Sequence, residues 1–237
     1  EGYSIYSNNG KNKQVMRTYI SILFCCIFLS NCKAQDPDFK MYLSNFGQSK
    51  IPLLINDRQS SSAVFCQAYD TIFRIKATKP IPENIVAKYI CTNGFCNPDG
   101  GYFRYDYGVK IDLSNDFITV LVSKLQYEGD SEWDFDLRET LLITYSNKGE
   151  ILSRLSLTKD NDRWKSSLMI TKERITVRQI KITEPKIDQY HRDLRCEYWT
   201  TTYQITTDGI IKPIDTSPVS TGIVIWDKIN EEYVLEE

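Results

Sequence analysis

The sequence predicts a mainly β fold: an antiparallel meander of hairpins, built as a sheet, a sandwich or a partly closed barrel, with one short helix. Apolar runs of strand length recur between clusters of turn-forming residues. Aromatic residues make up 12% of the chain and include 15 tyrosines, and such side chains favour extended, half-buried surfaces. The alternation of strands and helices that is typical of a doubly wound parallel sheet is not visible.

One short helix is expected in the segment P-I-P-E-N-I-V-A-K-Y-I. Pro82 can occupy the first turn of a helix, where no backbone N–H donor is needed. Four apolar residues that follow share one helical face, which a helix buries against its neighbours. They are Ile85, Val86, Tyr89 and Ile90. The turn-forming residues Thr92-Asn93-Gly94 are expected to end this helix.

The meander that follows consists of nine expected strands. Apolar residues of Phe117–Tyr127 occur at both parities, which predicts a central strand covered on both faces. In Ile175–Thr183 the apolar parity changes midway, and a bulge at Arg178-Gln179 would reconcile the two halves. The expected strands are Tyr102–Leu113, Phe117–Tyr127, Leu137–Ser146, Glu150–Thr158, Leu168–Lys172, Ile175–Thr183, Cys196–Thr206, Ile210–Ile214 and Gly222–Trp226.

Two hairpin turns in the meander look alike. Asn147-Lys148-Gly149 predicts a three-residue loop with its glycine in the left-handed conformation, and Thr207-Asp208-Gly209 is a similar turn. Each turn is preceded by a Tyr and followed by an Ile. The likeness indicates either a weak internal repeat of the propeller-blade type or, more simply, the same hairpin solution used twice.

An export signal is expected at residues 16–31. Arg17 supplies a short positive region, and Tyr19–Leu29 is an apolar run broken only by Ser21. Eleven residues are too few to span a bilayer stably, which takes about 20, but they match the hydrophobic region of a signal peptide. A buried core helix is the alternative. Residues 1–15 are polar and aperiodic and are interpreted as an upstream or non-native extension.

The residues that follow resemble the lipobox of bacterial lipoproteins, in which the Cys is lipidated and becomes the new N-terminus. Leu29, Ser30 and Cys32 fit the motif, whereas Asn31 stands where Gly, Ala or Ser is usual. Several acyl chains on Cys32 would hold the protein on a membrane, expected to be the outer membrane. Cleavage after Ala34 is the alternative and would give a periplasmic or secreted protein.

The expected domain organisation is therefore a tether at 32–50 and a single β-rich domain at 51–237. The signal and these two hairpins loosely resemble uncharacterised lipoproteins of Bacteroidetes-type bacteria, a group in which Tyr-x-x-x-Gly-x-Ile hairpins recur, and the resemblance covers about 137–215. That resemblance implies an envelope location and carries no activity or catalytic residue.

Four cysteines remain beyond Cys32 and the signal. In an oxidising compartment they can form disulfides. Cys91 and Cys96 flank a turn-like loop and are candidates for a local bridge, which would leave Cys66 and Cys196 to pair across the fold. Free buried thiols are the alternative. A zinc site is disfavoured, because the chain has one His and lacks a second ligand pair.

An acidic run at 128–136 is the strongest candidate for a cation site. Its acids alternate along the chain, so an extended segment would place them on one side, where oxygens could bind Ca²⁺. No metal site is predicted, and the weak candidates for metal ligands in this run are Asp130, Glu132, Asp134 and Asp136. A solvated loop is the preferred interpretation, and no catalytic residue or cofactor is predicted. His191 lies in a polar stretch and is expected to be exposed.

An aromatic ladder is expected on one face of the first long strand. Phe103, Tyr105 and Tyr107 share parity there. Exposed, the ladder could stack on sugar rings; buried, it is core packing, which we favour.

The preferred function is a non-enzymatic module of the cell envelope that binds a protein or a glycan, with the membrane reached through the N-terminal lipid. A carboxylate-based enzyme acting on glycans and an inhibitor or immunity-type protein are the alternatives. Nucleic acid is excluded as a partner, because the formal net charge is −2 and basic residues are scattered.

Overall fold

Two β-sheets lie face to face in the computed structural model, and two short helices cover the outer face of the smaller sheet. The structure describes residues 36–55, 79–91, 102–127, 135–160, 163–184, 193–227 and 232–236. These residues belong to one unit, Asp36–Glu237. The predicted mainly β, antiparallel fold is confirmed as an open sandwich, because neither strand order returns on itself within the described ranges.

The elements follow one another along the chain in the order α1, β1, β2, α2 and then β3 to β12. The helices are α1 (Pro37–Leu43) and α2 (Glu83–Tyr89). The five-stranded sheet contains β1 (Gly47–Ser49), β3 (Tyr102–Ile111), β4 (Phe117–Tyr127), β5 (Phe135–Ser146) and β6 (Ile151–Asp160). The seven-stranded sheet contains β2 (Leu53–Ile55), β7 (Trp164–Ile170), β8 (Ile175–Ile182), β9 (Leu194–Ile205), β10 (Ile211–Thr216), β11 (Ser220–Asp227) and β12 (Glu232–Leu235).

Neighbouring strands are antiparallel except for β1, which pairs parallel to β3. The smaller sheet has the order β1-β3-β4-β5-β6, and the larger sheet has the order β12-β11-β9-β8-β7-β2. Strand β9 is long enough to pair along one edge with two partners. Its second half pairs with β10 and its first half with β11.

Two apolar cores separate three layers. The inter-sheet core joins both sheets and includes Val109, Leu121, Leu142, Leu157, Leu168, Ile175 and Val177. The helix-side core lies between the helices and the outer face of the smaller sheet and includes Phe39, Tyr42, Tyr89, Tyr107, Val120, Val122 and Tyr145. Strand β4 contributes to both cores, because Leu121 points to one and Val120 and Val122 to the other. This confirms the prediction of a central strand covered on both faces.

The prediction of a tether at 32–50 is wrong for the residues from Asp36 onward. Residues 37–43 form α1, whose Phe39 and Tyr42 are fully buried in the helix-side core. Pro37 opens the helix, and the Asp36 side chain caps it by accepting a hydrogen bond from the Asp38 N–H. The described residues therefore contain two helices instead of the one predicted. The predicted second helix, α2, begins after Pro82, as expected.

The bulge predicted at Arg178-Gln179 is absent, and β8 pairs with β7 and β9 without a register shift. The apolar residues change parity because both faces of the strand are used. Ile175 belongs to the inter-sheet core, whereas Ile182 packs on the opposite face with Cys196. Regular alternation then requires Gln179 and Lys181 to share the face of Ile175.

The two similar turns are the same hairpin, one in each sheet. Gly149 and Gly209 have φ values of 91° and 82°, which confirms the left-handed position predicted for Gly149. The N–H of each glycine bonds to the carbonyl three residues earlier, on Ser146 or Thr206. The local hydrogen bonding of a three-residue turn accounts for the sequence likeness. The first turn joins β5 to β6 in the smaller sheet, and the second joins β9 to β10 in the larger sheet.

Candidate functional site

The predicted aromatic ladder is core. Tyr105 is 3% exposed and Tyr107 is 7% exposed, and Phe103 packs against the same helix-side core. This confirms the interpretation of core packing and removes the ladder as a sugar-stacking surface.

Cys196 is a free thiol in the structure, so the candidate bridge from Cys66 to Cys196 is not formed. The side chain is buried among Ile182 and Val224, and this burial raises the pKa of the thiol. Cys91 is disulfide-bonded. Cys66 and Cys96 lie outside the described residues, so the pairing of Cys91 with Cys96 stays a prediction.

Several other candidates also lie outside the described residues. They are Cys32, Asp130, Glu132, Asp134 and His191. Asp136 lies in β5, and its side chain is not described. Within the described ranges, no group of three or more His, Cys, Asp or Glu residues is placed to hold a metal ion.

A surface that the sequence interpretation missed lies on the inner face of the larger sheet. Direct cross-strand pairing aligns Trp164 with Lys181 and Gln179 with Trp199, and Lys181 also pairs with Glu197. Paired residues of antiparallel strands project to the same side of a sheet. We call this surface the tryptophan face, defined by Trp164, Gln179, Lys181, Glu197 and Trp199.

The tryptophan face continues the side of the sheet that forms the inter-sheet core. Along β8, buried Ile175 and Val177 are followed on the same side by half-buried Gln179 and exposed Lys181. The same side therefore changes from apolar to polar residues midway along the strand. That change of residue type is the signal of this surface in the sequence, and it does not indicate a bulge.

Two indole rings meet above the central strand of this face. Trp164 on β7 and Trp199 on β9 flank β8, and their ring centroids are 5.8 Å apart with planes at 90°. An edge-to-face pair is a favoured aromatic geometry. The Lys181 ammonium lies 5.9 Å from the centre of the Trp164 ring, within the range of a cation–π contact.

Charges beside the rings are balanced. The Lys181 Nζ lies 4.0 Å from a carboxylate oxygen of Glu197, and both side chains are more than two-fifths exposed. One row further along, Arg195 Nε lies 3.5 Å from a Glu184 oxygen. Thr221 and Ile223 on β11 extend the same side, and both are exposed. The surface thus combines aromatic, amide, hydroxyl and paired charged groups.

The buried carboxylates of the described chain do not converge. Asp106 is 1% exposed and receives two hydrogen bonds from Arg104, at 2.7 and 3.0 Å. Glu139 accepts from Lys124 at 2.7 Å. Asp106 pairs across the ladder with Ser123, whereas Glu139 pairs with Lys124, the next residue on β4. The two acids therefore lie on opposite faces of the smaller sheet.

A small pocket lies at the end of the sandwich where three turns meet. Its volume is about 150 Å³, and its apolar floor includes Phe117, Ile175 and Ile205, with Lys172 and Arg174 at the margin. Sites for small molecules commonly enclose roughly 300–1,000 Å³. The pocket is therefore small for a cofactor or a sugar ring with its substituents.

Comparisons with protein-family models, with curated proteins and with solved structures found no match. Among the described residues, no helix combines the length and the apolar character needed to cross a membrane.

Proposed function

We propose that the protein is an exported, lipid-anchored and non-catalytic module of the cell envelope that binds an uncharged glycan on the tryptophan face. The observation that carries this proposal is the pair of indole rings of Trp164 and Trp199, half-buried and flanked by hydrogen-bonding side chains.

The rings suit a sugar because indole combines a large apolar face with a polar N–H. The axial C–H groups of a pyranose can lie on such a ring, while its hydroxyls need donors and acceptors at the rim. Gln179 and Lys181 supply donors, and Gln179 and Glu197 supply acceptors. Two perpendicular rings form a corner that contacts a sugar on two sides.

The charge of the face favours an uncharged ligand. Lys181 is matched by Glu197 and Arg195 by Glu184, so the described part of the surface has no excess of either sign. Binding a strongly anionic or cationic ligand would leave one partner of each pair opposed to it. An uncharged oligosaccharide avoids that cost.

The anchor part of the proposal rests on the signal-like segment and on Cys32. Acyl chains buried in a bilayer hold a protein stably when more than one is present. Mass spectrometry of the N-terminal peptide tests this part. A diacylglyceryl-size addition on Cys32 would support it, and a bare N-terminus at Gln35 would refute it.

The enzyme alternative is less well supported. Glycosidases place two carboxyl groups about 5–9 Å apart across one cleft. Asp106 and Glu139, the buried acids of the described chain, lie on opposite sheet faces and each has a cationic partner.

A glycan titration tests the binding function. The full-length protein, purified from membranes in detergent, would be titrated with uncharged hexasaccharides of different sugars, followed by indole fluorescence and calorimetry. Trp199→Ala should weaken binding about tenfold, since a central Trp commonly contributes more than 1 kcal/mol.

Ile214→Ala is the matched control, because Ile214 is 50% exposed on β10 of the same sheet and lies outside the tryptophan face. It should bind as the unaltered protein does. If Trp199→Ala binds as well as this control, or if none of the hexasaccharides binds, the proposed glycan function is wrong.

A further inference from the structure

Asp36 is the first residue of the described domain, and it lies directly before α1. The Asp36 carbonyl accepts the first helical hydrogen bond of α1 from Lys40, at 3.0 Å, and its carboxylate accepts from the Asp38 N–H. The next turn of α1 buries Phe39 completely. Only two residues therefore separate Asp36 from the first fully buried side chain of the core.

Two residues of helix α2 also bind the Asp36 side chain. The Tyr89 hydroxyl donates to an Asp36 carboxylate oxygen at 2.9 Å, and the Lys88 ammonium lies 2.9 Å from that oxygen and 2.9 Å from an Asp38 oxygen. The hydrogen bond from Lys88, followed by that from Tyr89, lowers the pKa of the Asp36 carboxyl. Asp36 is thus fixed to both helices.

Only three residues separate Cys32 from this fixed point. Fully extended, the four steps from Cys32 to Asp36 reach about 14 Å. The tether predicted from the sequence, through residue 50, would have reached about 60 Å. The headgroup region of one leaflet is itself about 5–8 Å thick, so it takes up roughly half of the shorter reach.

We propose that the side of the domain formed by α1 is held against the membrane surface, so that lipid lies next to Met41. The inference rests on the proposed lipid anchor at Cys32. A domain of about 200 residues has a radius of gyration of about 16 Å, so a 14 Å tether keeps the side carrying Asp36 facing the bilayer.

The surface beside Asp36 is compatible with that position. Met41 projects from α1 with 59% of its area exposed. The charged residues of α1, of α2 and of the segments directly before them are balanced, three of each sign: Asp36, Asp38, Glu83, Lys40, Lys79 and Lys88. One exposed apolar side chain without net charge gives little affinity for lipid by itself. The short tether, and not the surface chemistry, holds this side on the membrane.

The methionines of the chain provide a built-in test. The sequence contains three: Met16 in the signal, Met41 on α1 and Met169 on β7. Met169 is 41% exposed and lies on the outer face of the larger sheet, because its neighbours Leu168 and Ile170 face the inter-sheet core. Met41 and Met169 therefore occupy the two outer surfaces of the three-layer stack.

The experiment replaces methionine throughout with a photoreactive diazirine analogue in bacteria that express the full precursor. Isolated membranes are irradiated, and lipid adducts on the Met41 and Met169 peptides are quantified by mass spectrometry. We expect several-fold more lipid adduct on the Met41 peptide. In a second variant, 20 Gly/Ser residues inserted after Ala34 add about 25 Å of reach, and the difference between the peptides should shrink.

Each outcome has one meaning. Lipidated Cys32 with equal adducts on the two peptides, or with a Met41 excess that the insertion leaves unchanged, would overturn the orientation and leave the anchor intact. An unlipidated N-terminus would overturn the anchor and the orientation with it. A chain that starts at Lys33, and so lacks both the signal segment and Cys32, should not bind vesicles of phosphatidylethanolamine and phosphatidylglycerol. Strong binding of this chain would show that surface chemistry holds α1 there.

Discussion

The Tyr145 hydroxyl donates a 2.6 Å hydrogen bond to the backbone carbonyl of Tyr89 and so joins the smaller sheet to the end of α2. The same oxygen lies 3.1 Å from the Tyr42 hydroxyl of α1. Because a phenol has one proton, Tyr145 uses it on Tyr89 and accepts from Tyr42. One fully buried side chain thereby connects both helices to the sheet.

Replacing Tyr145 by Phe should therefore destabilise the fold more than replacing Tyr42 by Phe. The first change removes two hydrogen bonds and leaves a buried carbonyl and a buried hydroxyl without this partner, at a cost of about 1–3 kcal/mol each. Tyr42→Phe removes one bond and leaves the Tyr145–Tyr89 bond in place. Urea denaturation measures the free energy of unfolding of both variants. An equal loss in the two would contradict the assignment in which Tyr145 donates to Tyr89 and accepts from Tyr42.

Alkaline pH should destabilise the protein through the same two tyrosines. Burial raises the pKa of the Tyr42 and Tyr145 phenols above the ordinary value. Below about pH 10 both phenols are neutral in the folded protein and in the unfolded chain. Above it the unfolded chain ionises first, so stability is lost as the pH rises from the unfolded pKa toward the folded one. The slope is about 1.4 kcal/mol per pH unit for each phenol.

Denaturation curves between about pH 9 and pH 11.5 measure this slope. Tyr42→Phe removes one of the two phenols, so its stability should fall less steeply than that of the unaltered chain. Identical slopes would show that Tyr42 ionises equally well in the folded state.

Gly149→Ala should cost more than Gly209→Ala, although both glycines have positive φ. Alanine in the left-handed region costs about 1–2 kcal/mol in either turn. A Cβ on Gly149 would lie 2.7 Å from the Phe39 ring, which is fully buried, whereas one on Gly209 meets the flexible end of Leu152. We expect about 3 kcal/mol for Gly149→Ala.

Gly47→Ala is the control for that comparison. Its added Cβ would make an ordinary contact of 3.6 Å with Val109. Its measured unfolding free energy should stay within about 1 kcal/mol of the unaltered protein. A loss for Gly149→Ala as small as this would contradict the close packing of Phe39 on the turn.

Arg104→Met should destabilise the smaller sheet by about 3 kcal/mol, because it removes the bidentate cation from the buried Asp106 carboxylate. The double change Arg104→Met with Asp106→Asn should recover part of that loss, since neither residue of this pair then carries a charge. Thermal and urea unfolding of the single and double variants measure the two losses of stability. A double variant less stable than Arg104→Met would show that Asp106 is held mainly by other groups.

The local parts of this fold could be predicted from the sequence. Strand β4 and its double-sided burial follow from apolar residues at both parities, and the Gly149 turn follows from a three-residue loop that needs a left-handed residue. Helix α2 follows from one apolar face after a proline. Each of these features depends on residues within about ten positions of one another, so the spacing that determines it can be read directly from the sequence.

Tertiary structure alone decided the rest. Residues 37–43 have too few turns to show a period, and α1 exists because the helix-side core accepts Phe39 and Tyr42. The face of β8 that carries Gln179 and Lys181 is exposed because inter-sheet cover ends partway along the strand. Trp164 and Trp199 lie 35 positions apart and meet only because β7, β8 and β9 pair in register. Local spacing determines strands and turns, whereas pairing and cover between distant segments determine which surfaces remain available to a ligand.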